Sequence, residues 1–121
     1  MGDNQGQNPV PTEPLDAPTW AALLSRWLDF ARAAVALPQD GEGDRWRRSV
    51  SPAITLQAVT MALGEVEKLD PQERALARDR ASVLIERETT ALGEIWGAPL
   101  PDRLGELTTD ASSALASAQP R

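Results

Sequence analysis

Between Ser49 and Gly64 the chain runs sixteen residues, SVSPAITLQAVTMALG, without a charge, although 25% of the whole sequence is charged. Read as a helix, this segment is too apolar for a solvent-facing place in a small monomeric bundle. Its apolar arc, drawn from Ile54, Leu56, Ala58, Val59, Met61, Ala62, Leu63 and Val66, covers well over half the circumference. The segment must lie at the centre of a fold or press against another molecule. Any structure for this chain has to bury it.

The residues available for chemistry are few. The 121 residues suit one domain, able to bury roughly two thirds of its unfolded surface. There is no cysteine, which removes disulfides, thiolate metal sites and cysteine nucleophiles. Histidine and tyrosine are absent too, and with histidine go the commonest general base and the commonest metal ligand. Carboxylates, arginines, Lys68 and hydroxyls remain, a set that supports few enzymes. We therefore expect no catalytic activity, no cofactor and no metal. The net charge is −6, and an acidic chain without an extended basic face is a poor nucleic-acid binder. Arginine far outnumbers the lone lysine and alanine is abundant, a bias we read as a GC-rich bacterial coding sequence.

The opening MGDNQGQNPVPTEPL is polar and proline-rich, with neither the basic nor the apolar part of a signal peptide. Met1-Gly2 begins like a myristoylation signal, but Gly6 stands where serine or threonine is required. The uncharged run falls short of the roughly 20 apolar residues of a membrane span. A soluble, cytoplasmic protein with no membrane partner is the expectation.

The pattern predicts an all-α fold, a four-helix, up-down antiparallel bundle over 16–118, behind a disordered tail over 1–15. The first helix, over 17–37, is predicted to be capped by Asp16 with Pro18 in its first turn. It places Trp20, Leu23, Leu24, Trp27, Leu28, Phe30, Ala31, Ala34 and Val35 on one half and Ser25, Arg26, Asp29 and Arg32 on the other. A charged loop follows over 38–48. The second helix, over 52–69, is predicted to open at Ser51-Pro52, serine as cap and proline at the first helical position. The third, over 71–96, opens with Asp70-Pro71-Gln72-Glu73, a capping-box-like start, and stops at Gly97-Ala98-Pro99. The fourth, over 102–118, shows only a narrow stripe of Leu104, Leu107, Ala111, Ala114, Leu115 and Ala118, and is expected to be the weakest-docked. No strand pattern or repeat appears.

Several residue groups invite a functional reading. The wide arc of the second helix makes Ile54, Leu56, Met61 and Leu63 a candidate interface. Arg45, Arg47 and Arg48, with Ser49 and Ser51, form a candidate anion site if free backbone N–H groups of a helix start lie beside them. The plainer reading has Trp46 plug the bundle end while the arginines pair locally. Glu65 and Glu88 fall within apolar arcs, and Arg80 and Arg87 belong to a row at spacing seven with Glu73 and Glu94. Glu65, Arg80, Arg87 and Glu88 are thus a candidate buried ionic network, either lining a polar cavity or simply pairing between helices. Asp40-Gly41-Glu42-Gly43-Asp44 starts like a calcium loop, but Arg45 and Ser51 replace its key glycine and glutamate. A di-iron bundle site fails for want of histidine. Trp20, Trp27 and Trp96 suit core packing, and Gln57 and Thr60 line the narrow polar side of the second helix.

Two functions follow as expectations. The first is a protein–protein interaction or scaffold module, self-associating through the second helix, with a symmetric dimer as the simplest form. The second is a ligand-binding or regulatory module recognising an anionic group at Arg45–Arg48. A helix-turn-helix is disfavoured, because neither middle helix has a face rich in phosphate-binding residues.

Overall fold

A computed structural model describes residues 18–37, 43–97 and 99–119. The tail over 1–15 and the acidic positions Asp40 and Glu42 lie outside the described residues. Among these residues four α-helices follow in order: α1 (Trp20–Ala34), α2 (Gly43–Leu63), α3 (Pro71–Trp96) and α4 (Asp102–Ala118). Among the described residues there is no strand, so the all-α class stands.

The uncharged run is the middle of the molecule. The three most extensive helix–helix contacts all involve α2, which packs on α1, α3 and α4. Within Ser49–Gly64 only Ser51 and Gly64 are exposed. Leu56 and Val59 are fully covered, at 0% exposure. The chain therefore shields this segment with its own helices. Alanines make the close approach possible: Ala53, Ala58 and Ala62 of α2 are sealed, as are Ala31 of α1, Ala77 and Ala81 of α3 and Ala111 of α4. Short side chains at helix contacts shorten the interaxial distance, which gives the abundance of alanine a structural use.

The start of α2 corrects the sequence reading. The helix begins at Gly43, so Gly43–Arg48 are helical rather than loop, and Pro52 sits inside the helix. The Ser51-Pro52 pair is not a cap. Two local effects support the added turns. Asp44 lies in the first turn, where a negative charge suits the helix dipole. It also accepts from Arg47 at 3.0 Å and Arg48 at 3.2 Å, three and four residues on. The larger effect is tertiary: Trp46, Ser49, Ala53 and Leu56 continue one buried stripe at helical spacing. Proline removes one backbone donor, and burial of that stripe outweighs the loss.

The other end of α2 also differs. The helix closes at Leu63, and a 3₁₀ turn over Val66–Lys68 occupies the link to α3. Val66 and Leu69 tuck into the core, so this connection is packed rather than looped out.

Helix α1 is shorter than predicted and starts later. Thr19, not Asp16, caps it by accepting from the Ala22 N–H at 3.1 Å, which places Pro18 before the cap. It stops at Ala34, short of the expected 37, with the Val35 N–H on the Ala31 carbonyl at 2.8 Å. Bounds of α3 and α4 match their sequence signals. Asp70 accepts from the Glu73 N–H at 2.8 Å, and Gly97 stops α3 at φ 74°, a conformation costly for residues with a Cβ. The capping box is only half formed, however. The Glu73 carboxylate reaches across to accept from the Trp20 N–H at 3.0 Å, so the first turn of α3 caps the first turn of α1. Helix α4, though narrow in its stripe, seals Leu104 and Leu107 completely.

Candidate functional site

Half of the candidate interface on α2 is inside the fold. Leu56 and Leu63 lie in the hydrophobic core, while Ile54 and Met61 are half-buried. The arc is wide because three helices share it. Thr60 and Gln57 are half-buried, and the Thr60 hydroxyl bonds to the Leu56 carbonyl of its own helix at 2.8 Å.

The candidate anion site is also dispersed. Ser49 and Ser51 lie within α2 instead of at its start, so their own N–H groups are not the unpaired ones of a helix end. Arg47 and Arg48 share Asp44, whose carboxyl is held below the ordinary aspartate range, chiefly by the Arg47 hydrogen bond and then by the Arg48 charge. Arg45 stacks over the Trp96 ring at 5.5 Å. Ser49, fully covered, donates to the Arg45 carbonyl at 2.8 Å and accepts from the Trp96 indole N–H at 2.8 Å. Trp46 meets Trp96 edge-on, with ring centroids 4.8 Å apart. This cluster closes one end of the core by joining the start of α2 to the end of α3.

The proposed ionic network resolves into separate pairs. Glu88, only 8% exposed, accepts from its neighbour Arg87 at 2.8 Å. Arg80 is exposed and forms no ion pair among the described residues. Glu65, in the turn after α2, pairs with Arg26 of α1 and with Lys68 at 3.0 Å. The same carboxylate accepts from the Trp27 indole at 3.0 Å. These donors hold Glu65 below the ordinary glutamate range, the Trp27 hydrogen bond first and Lys68 next. Arg26 also lies over the Trp27 ring, 5.8 Å from its centre. Glu65 thus ties α1 to the α2–α3 connection, a role that its place in the apolar arc hinted at without naming the partner.

A pH dependence follows. Because the folded-state value is depressed, the contribution of Glu65 is fully present above the unfolded-state value and is lost as pH falls through the folded one. We expect wild type to exceed Glu65→Gln in urea midpoint at pH 7. That margin should shrink through and below the ordinary carboxylate range and vanish in acid, as urea melts across pH will show.

Two surfaces lie outside the expected sites, and the first is a correction, because the sequence puts Phe30 on the apolar half of its helix. On α1, Phe30 is 51% exposed and meets half-buried Trp27 edge-on at 5.4 Å. Arg26 lies over the Trp27 ring beside this pair, while the Arg32–Asp29 pair at 2.8 Å belongs to the polar half of the helix. The other surface is a cleft holding Arg74 and Arg78, beside the α2–α3 connection and the end of α4. The signal for these arginines was present: they flank the buried stripe Ala77, Ala81, Ile85 on α3, one turn apart. No helix among the described residues is long and apolar enough to cross a membrane, and no group of acidic side chains among them could hold a metal ion. Comparison with protein-family models, with curated proteins and with solved structures found no match for this chain.

Proposed function

We propose that this protein is a non-catalytic helical interaction module of the cytoplasm that pairs with a second copy of itself through α1. The observation that carries the reading is the exposed aromatic pair. The sole phenylalanine of a chain without tyrosine stands half in water against Trp27. Aromatic anchors with arginine nearby and a charged rim are the usual make-up of binding hot spots. Arg26 over the Trp27 ring and Glu65 at its indole N–H put both signs of charge beside the pair. A two-fold interface sets one surface patch against its own copy, and a patch bearing both signs can complement itself. The contact surface on this reading is α1 rather than α2, whose Leu56 and Leu63 are already covered. In the same proposal the four helices run up and down, each antiparallel to the next. The packed link between α2 and α3 and the contacts of α3 with both α2 and α4 support that order.

Sedimentation velocity over a concentration series tests the pairing. Wild type should dimerise, and Phe30→Glu should raise the dissociation constant about 30-fold or more while leaving helix content unchanged. A wild type that remains monomeric throughout, or a Phe30→Glu protein that dimerises as well as wild type, overturns the proposal.

A further inference from the structure

We infer that the cleft bounded by the α2–α3 connection, the first half of α3 and the last turn of α4 binds a small monocarboxylic acid with an apolar body. This is a second site, independent of the α1 pairing surface. Its volume is about 540 Å³, within the roughly 300–1,000 Å³ typical of ligand pockets. The apolar part of its lining comes from Leu63 and Val66, both core residues, and from half-buried Ala114 and Ala118. Against this stand Arg74 and Arg78, half-buried and one turn apart on α3. Residues at that spacing share a helix face, and two guanidinium groups there can grip one carboxylate.

Neither arginine is consumed by the fold. Arg74 takes part in no ion pair among the described residues. Arg78 makes one long hydrogen bond, 3.4 Å, to the Ala118 carbonyl. A guanidinium carries five donors, so most of its capacity is open. The charge balance selects the ligand. Two arginines face one lining carboxylate, Glu67, leaving a single net positive charge. The carbonyl end of α4 adds partial negative charge at the same place. A monoanion is accommodated there, and a second negative charge on the ligand is opposed. The apolar wall then asks for hydrocarbon behind the carboxylate.

Calorimetry on the full chain at pH 7, with octanoate as the probe, tests the site. Wild type should bind it saturably at one equivalent, with no saturable heat from octylamine or inorganic phosphate. Arg74→Ala and Arg78→Ala should each weaken octanoate at least about tenfold. Ser117→Trp, which fills the cleft from an exposed position on α4, should abolish binding with helix content unchanged. The inference is overturned if wild type shows no saturable octanoate binding, or if Ser117→Trp binds as well as wild type. It is overturned equally if both arginine variants retain full affinity, or if octylamine or phosphate binds as tightly as octanoate.

Discussion

Replacing Leu56 by alanine is expected to lower the unfolding free energy by about 2–5 kcal/mol. Leu56 is at 0% exposure on the helix that touches all three others, so the lost methyl groups leave a void that no single helix can close by shifting. The neighbouring α2 positions Ala53 and Ala62 are already sealed alanines and offer no longer side chain to fill the space. For a domain whose total stability is about 5–15 kcal/mol, that loss is a large share. Urea melts followed by far-ultraviolet circular dichroism will measure it. A cost below about 1 kcal/mol would mean that α2 is not central and that its apolar arc is covered in some other way.

Trp46→Ala should be comparably damaging, at about 3–5 kcal/mol. The side chain is 6% exposed and packs edge-on against Trp96, which in turn donates to buried Ser49. Aromatic pairs add about 0.5–1.5 kcal/mol beyond burial. A double-mutant cycle with Trp96→Ala should therefore return a coupling of that size, measured from the same melts. A surface role for Trp46, as in a charged loop, predicts a change within about 0.5 kcal/mol and no coupling. The two outcomes are well separated.

These two residues mark where sequence reasoning succeeded and where it misled. The demand that Ser49–Gly64 be buried came from its lack of charge alone, and Leu56 meets it. What covers it could not be read locally, and the open choice between neighbouring helices and a second molecule suggested an interface at Ile54, Leu56, Met61 and Leu63. Ser51-Pro52 has the form of a helix start and so puts Trp46 in a loop, although the plainer reading, in which Trp46 plugs the bundle end and the arginines pair locally, agrees with its burial and with the Asp44 pairs. Local propensity disfavours proline inside a helix by about 3 kcal/mol, whereas burial of Trp46 and the stripe beyond it acts through contacts distant in sequence. Trp96, fifty residues on, supplies the contact that makes the early start favourable.

The caps of α3 show the opposite case. Asp70, Pro71 and Gly97 act within a few residues of themselves, so their effect does not depend on the rest of the fold. Glu73 shows the limit within the same motif: its backbone N–H obeys the local rule, while its carboxylate goes to Trp20 on another helix. Glu65 is similar, since its position in the apolar arc announced a need for a cation, yet Arg26 and Trp27 come from α1. The arginines of the cleft, Arg74 and Arg78, gain meaning only when α4 is laid beside α3.

Hydrophobic patterning and the local chemistry of Asp70, Pro71 and Gly97 were thus enough to establish an all-helical chain, the limits of α3 and α4 and the need to enclose α2. Their causes act over one or two helical turns. The start of α2, the partners of Glu65 and Glu73 and the gathering of the arginine cleft were settled by packing between helices. Those contacts join residues dozens of positions apart, and a long-range contact can outweigh the local preference of a single proline.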